Sequence, residues 1–168
     1  MAELTENKVI VSLKRKRDQL VGKGFGELIE KELILDLKEA VYLVEKEKIE
    51  VKQGRKKFSA KNLLGLGESL EEGFYSKYLV FRDLRDRGYV VRTGFKFGFD
   101  FRVYPRGKKP GEAHTQWVVS VLSQDAQFTM PELSRMVRLS GNIHSTVLQA
   151  VVDSENDINY YELKRVLP

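Results

Sequence analysis

The sequence predicts an α+β chain, with helix and strand mixed in its first third and strand dominant after residue 88. Three observations carry that expectation. Leu33, Leu37, Ala40, Val41 and Val44 recur at helical spacing. Beyond Gly88 the apolar residues alternate or run in short β-branched stretches, as strands do. Between them, Leu64-Gly65-Leu66-Gly67 reads as a flexible joint, which divides the chain into residues 1–66 and 67–168.

Taken in order, residues 8–13 read as a short strand and 18–27, with Gly22, Gly24 and Gly26, as a turn-rich connection. The helix that follows buries Leu33 to Val44 and turns Glu32, Lys38, Glu39 and Lys46 to water. Ile49 to Lys52 alternate as a brief strand before the turn at Gly54, and the core of this first part looks thin. Ser69-Leu70-Glu71-Glu72 reads as a capping box that opens a helix with the stripe Leu70, Phe74, Tyr78, Phe81 and Leu84, stopped by Gly88. Strands are expected at 89–91, 95–104, 114–122, 146–152 and 158–166, with one helix at about 131–141. Pro131 suits the first turn of that helix.

At 168 residues, 42% hydrophobic and 32% charged, the chain can bury a sizeable core and has an ordinary globular profile. No apolar run is long enough to span a bilayer, and no leader pattern opens the chain, so the expectation is a cytoplasmic protein without membrane contact. With no cysteine, neither disulfides nor thiolate zinc sites are possible, and two histidines leave little for a histidine metal site. The net charge of +5 favours polyanions. Lys14-Arg15-Lys16-Arg17 reads as a solvated strand end rather than a nucleic-acid patch, whereas Arg102, Arg106, Lys108 and Lys109 gather around one loop.

That loop, residues 105–113, carries the chemistry. It follows a strand in which Phe95, Phe97, Phe99, Phe101 and Val103 share one face, leaving Lys96, Asp100, Arg102 and Tyr104 on the other. It ends at His114. Tyr104 or His114 alone would more often be packing residues; flanking one basic loop, they form a candidate pair. Metal-free RNA cleavage needs a base for the ribose 2′-hydroxyl, an acid for the departing 5′-oxygen and a cation for the phosphate. Tyr and His suit the first two roles if positive charge lowers the tyrosine pKa from about 10. Asp100 lacks the convergent carboxylates of a metal nuclease, and no cofactor is expected. On these residues alone, a basic RNA-binding surface stands almost level with a nuclease.

From Tyr78 to the C-terminus the chain resembles the archaeal tRNA-splicing endonuclease (tRNA-intron lyase) family. The matching strings are Tyr78-Leu-Val-Phe-Arg-Asp-Leu-Arg-Asp-Arg-Gly-Tyr-Val-Val-Arg-Thr-Gly94, Phe95 to Tyr104, His114, Val137-Arg-Leu139, Ala150-Val-Val-Asp153 and Asp157-Ile-Asn-Tyr-Tyr161. Glu39-Ala-Val-Tyr-Leu43 is similar, less distinctively, to the family's N-terminal domain. The resemblance implies a small accessory domain followed by a restriction-nuclease-like domain with a mixed sheet and helices. It implies excision of introns from precursor tRNA at a bulge-helix-bulge, leaving 2′,3′-cyclic phosphate and 5′-hydroxyl ends without metal. It makes Tyr104 the general base and His114 the general acid, and sets Arg138 on an extruded bulge base. It places Asp125 in a loop that docks into a partner, within a homotetramer built as a dimer of dimers or a heterotetramer with a paralogous subunit.

One stretch departs from the family pattern. After Arg138 the family reads roughly Ala-His-Ser-Val-Arg-Lys; here the chain reads Ser140-Gly-Asn-Ile-His-Ser145, with Ser145 where the transition-state lysine belongs. A hydroxyl cannot supply that charge, and loss of one such donor costs about 10²–10³ in rate. In a continuous strand Lys96 would lie roughly 26 Å from Tyr104, too far to substitute, and Arg102 roughly 7 Å away. The chain is then a weakened enzyme, a structural subunit for an active paralogue, or a lysine-deficient variant; a basic structured-RNA-binding module is the rival from another class.

Overall fold

In the computed structural model, which describes residues 1–93 and 98–168, the chain divides into two units, with the division between Tyr78 and Leu79. The first, Met1–Tyr78, is built on a six-stranded sheet. Its elements are β1 (Ala2–Thr5), β2 (Lys8–Val11), α1 (Lys14–Gly22), β3 (Glu27–Ile29), β4 (Glu32–Leu35), α2 (Leu37–Glu45), β5 (Val51–Gln53), β6 (Lys56–Phe58) and α3 (Ala60–Leu70). The strand order is β3-β4-β2-β1-β5-β6, antiparallel except where β1 runs parallel to β5. Alternation explains the core: Leu4, Val9, Val11, Leu33 and Leu35 are buried from successive strands and meet Ala40, Val41 and Leu43 of α2.

Several expectations for this unit change. Residues 14–22 are helical, so the Lys14–Arg17 cluster lies on α1 and not on a strand end. Only Leu20 of α1 is buried, which is why no apolar period announced it. Leu33 belongs to β4, and the helix starts at Leu37 behind Asp36, whose carboxylate caps it. Lys38 and Glu39 are buried rather than solvated. The Glu39 carboxylate accepts from the amides of Gly26 at 2.8 Å and Asp36 at 3.0 Å. Lys38 donates to Glu71 at 2.6 Å and lies 4.7 Å over the Phe74 ring. Burial opposes ionisation of Glu71, but hydrogen bonds from Lys38 and Lys77 outweigh it and hold the carboxyl below its ordinary range.

The Leu64–Gly67 stretch, read as a joint, lies inside α3, which is capped by Ser59 and Asn62. Ser69 is consequently at the end of a helix and not at the start of one, its hydroxyl donating to the Leu66 carbonyl at 2.7 Å. The next helix, α4 (Phe74–Asp86), begins beyond Gly73. Gly67 is there for space: a Cβ on it would come within 2.3 Å of the Phe74 ring. Gly67→Ala gains helix propensity of about 1 kcal/mol but must displace a ring held under Lys38. Overpacking of that kind costs about 1–3 kcal/mol. Chemical denaturation should show a net loss of stability; a gain would mean that the ring moves freely.

The second unit, Leu79–Pro168, adds β7 (Val90–Thr93), β8 (Phe101–Tyr104), β9 (Trp117–Ser123), α5 (Met130–Asn142), β10 (Thr146–Val152) and β11 (Ile158–Leu163). Its sheet runs β11-β10-β9-β8-β7 and is mixed, because β9 and β10 are parallel while the other pairs are antiparallel. The expected α+β class with mixed sheets and helices is the one found. A helix covers each face. Phe81 of α4 meets Phe101 at 6.0 Å between centroids, and Met136 and Leu139 of α5, with Ile143 just beyond its end, pack with Val118, Val147 and Leu163 on the other side.

The strand expected at 95–104 is shorter. Phe95, Lys96 and Phe97 lie outside the described residues, Gly98 turns with positive φ, and regular pairing begins at Phe101. The bend at Asp100 breaks the alternation, so Phe99 packs with Val118 and Val147 under α5, on the face opposite Phe101. No helix among the described residues is long and apolar enough to cross a membrane.

Candidate active site

The sheet brings the candidate residues to one end. Tyr104 is the last residue of β8, His114 precedes β9, and Ser145 precedes β10. Because β8 is antiparallel to β9 and β9 parallel to β10, the end of the first strand lies beside the starts of the other two. Three hydrogen bonds close this end: Gln116 N to the Val103 carbonyl at 2.8 Å, Thr146 N to the Gln116 carbonyl at 3.4 Å, and Ser145 Oγ to the Thr115 carbonyl at 3.1 Å. The neighbours of Tyr104, His114 and Ser145 are thereby tied to one another.

Burial separates the members. His114 is exposed at the end of its loop, free to meet a substrate. Tyr104 is only 6% exposed, so the phenol expected to stand out among cations is instead largely covered. It shares its sheet face with Arg102, whose Nε is buried and has no hydrogen-bond partner among the described residues. A different tyrosine is ruled out as a base: burial and then its hydrogen bond to Asp83 push Tyr160 far up, keeping it a donor.

The loop between Tyr104 and His114 is folded on itself. Lys108 N donates to the Pro105 carbonyl, and Lys109 pairs with Glu112 at 3.6 Å. Arg106 lies 5.0 Å over the Tyr89 ring, which meets Trp117 edge-on at 5.4 Å. Trp117 in turn donates to Glu162 at 2.8 Å. Arg106, a sequence candidate for RNA contact, therefore already holds the loop against the sheet, while Lys108 stays exposed. The sequence reading missed this ladder; aromatic residues at the starts of two strands were its available signal.

Arg138 is exposed on α5, whose other side supplies Leu139 to the core. Asp125 is exposed in the turn after β9, where Gln124 N donates to the Val152 carbonyl. That turn is at the far end of the sheet from Tyr104. His144, beside Ser145, is exposed with a φ of +52°, a tight backbone exit from α5. Among the described residues no three His, Asp or Glu side chains converge as metal ligands. A groove of about 430 Å³ lined by Arg82, Asp83, Asp86, Arg87 and Asp157 lies by the β10–β11 turn, opposite the Ser145 end. Its carboxylates make it a poor seat for a phosphate.

Family models match most of the chain. Residues 1–64 match the tRNA intron endonuclease N-terminal domain, and residues 74–160 match the tRNA intron endonuclease catalytic C-terminal domain. The chain belongs to the tRNA intron endonuclease family. It is 43% identical over 142 residues to a tRNA-splicing endonuclease of Thermococcus gammatolerans, covering 84% of this chain and 83% of that one. It is 40% identical over 151 residues to a tRNA-splicing endonuclease of Methanothermobacter thermautotrophicus, covering 89% and 88%. A tRNA-splicing endonuclease of Methanococcus maripaludis is 32% identical over 163 residues, covering 96% and 92%. The match to the N-terminal domain agrees with the fainter similarity read at Glu39 to Leu43, beside the resemblance from Tyr78 onward.

Proposed function

We propose that the chain is a subunit of a tRNA-splicing endonuclease that cuts precursor tRNA at bulge-helix-bulge sites by metal-free acid/base catalysis. The observation that supports this is the meeting of the Tyr104, His114 and Ser145 backbones at one sheet end within a chain of this family. Tyr104, as phenolate, takes the proton of the 2′-hydroxyl at the cut. The 2′-oxygen bonds to phosphorus, the bond to the 5′-oxygen breaks, and His114 gives that oxygen its proton. The products are a 2′,3′-cyclic phosphate and a 5′-hydroxyl.

Arg138 and Lys108, both exposed, provide cations for RNA held by shape and unstacked bases. Arg102 backs Tyr104 from the same sheet face. The exposed Asp125 turn and the edge strand β11 are the proposed subunit contacts of a homotetramer or of a heterotetramer with a paralogue. One observation favours a second reading. The Ser145 hydroxyl is engaged with a backbone carbonyl, as suits a structural subunit whose active paralogue supplies the chemistry.

The test is cleavage of an end-labelled bulge-helix-bulge precursor by the purified chain in EDTA, with analysis of the ends. Cuts at both bulges with cyclic-phosphate ends are expected. RNA binding that falls steeply with salt and gives no cut would leave only a binding module.

A further inference from the structure

We propose that Arg165 is a catalytic residue of this site, supplying at the reacting phosphate the positive charge that Ser145 lacks. This rests on the splicing reading above and deepens it.

Ser145 is already spent. Its hydroxyl has one proton, which goes to the Thr115 carbonyl at 3.1 Å, and it carries no charge. Something else must meet the charge that gathers on the phosphate oxygens. The pairing of the last two strands points to a residue for that position. β10 and β11 are antiparallel, with Val152 opposite Ile158, Leu148 opposite Glu162 and Val147 opposite Leu163. Carried two residues further, that register sets Arg165 across from Ser145. Alternation keeps Arg165 on the face of Leu163, which is also the face of Val147, Val118 and, one strand further, Tyr104. β11 itself ends at Leu163, so Arg165 lies two residues beyond the paired ladder, on a segment no longer bound into it.

Most other cations at this end are engaged or turned elsewhere, and Arg102, whose Nε has no partner among the described residues, stands at the register of Val118 and Val147 and not at that of Ser145. Arg106 is stacked on Tyr89, Lys109 is paired with Glu112, and Lys164 reaches Glu162 at 4.0 Å. Arg102 is half-buried in the sheet face, Lys108 is at the loop tip, and Arg138 is on the outer side of α5. Arg165 is exposed and makes no hydrogen bond or ion pair among the described residues. A guanidinium is always charged, and its planar fork matches two phosphate oxygens at once. It moves no proton: the 2′-hydroxyl proton still goes to Tyr104, and the 5′-oxygen still receives its proton from His114. Arg165 only neutralises the charge that grows between those transfers.

The test compares the intact chain with Arg165→Gln, Arg165→Lys and Arg165→Gln/Ser145→Lys in single-turnover cleavage of a bulge-helix-bulge precursor, at RNA concentrations high enough to saturate each protein. The expected result is a maximal rate about 10²–10³-fold lower for Arg165→Gln, partial retention in Arg165→Lys, and restoration in the double variant. Circular dichroism and RNA affinity for each variant separate this from misfolding. A maximal rate that is unchanged in Arg165→Gln while RNA affinity falls would overturn the proposal, making Arg165 a grip on RNA and nothing more. An intact chain that cuts only after Ser145→Lys would also overturn it, yet leave the splicing reading standing. If neither the intact chain nor Ser145→Lys cuts, that underlying reading falls as well.

Discussion

His114→Ala and Tyr104→Phe are each expected to lower the cleavage rate at saturating RNA by about 10²–10⁴-fold, the range for loss of one proton-transfer group. Binding of the uncut precursor should stay close to that of the intact chain, because the cations proposed to hold the RNA, Arg138 and Lys108, are untouched. The two substitutions differ in how cleanly they report. His114 is exposed on the loop end, so its removal leaves packing untouched. Tyr104 is 6% exposed in the sheet, so Phe, which keeps the ring and deletes only the hydroxyl, is the proper probe. The double variant should lose little beyond the worse single one, since residues that act in one step are not additive. A His114→Ala chain that cuts at the intact rate would refute the acid role outright.

Phe101→Ala is expected to cost about 3–5 kcal/mol of stability, read from the midpoint of a urea transition with an unchanged slope. Phe101 is 1% exposed and carries the contact between β8 and α4 through Phe81 at 6.0 Å. The strand is four residues long and ends in Tyr104, so loosening it should also lower cleavage more than the global stability loss requires. Phe99→Ala tests the opposite face. It should weaken the cluster of Val118 and Val147 beneath α5 while leaving Phe81 and Phe101 in contact. A loss below about 1 kcal/mol for Phe101→Ala would mean that α4 does not depend on this ring.

How much could be read beforehand varies with the kind of element. The strand 146–152 and the helix around 131–141 were legible because each carries a sustained period and ends at a turn signal. β1, β3 and β6 were not, being three or four residues long and partly or wholly exposed; Glu27–Ile29 has no buried residue at all. Such strands exist because neighbours offer them backbone partners, which is information from elsewhere in the chain. The Ser69–Glu72 capping pattern misled for a related reason. The same four-residue signature arises wherever Ser precedes Glu by three, and only the continuing ladder of α3 decides that Ser69 ends a helix. At Gly98 and Asp100, two backbone bends moved Phe99 to the other side of the sheet, which period-two counting could not anticipate.

The sequence by itself determined the α+β class, the family and the identity of Tyr104, His114, Ser145 and Arg138 as the positions to ask about, because residue types and spacings are local and specific. Only the tertiary structure decided that Tyr104 is covered, that Arg106 is held on Tyr89 and that Ser145 is engaged with the Thr115 carbonyl. It alone decided the register of the last two strands, Val147 opposite Leu163, from which the proposal for Arg165 is drawn. Strand register and burial join residues far apart in the chain, and no local pattern carries that pairing.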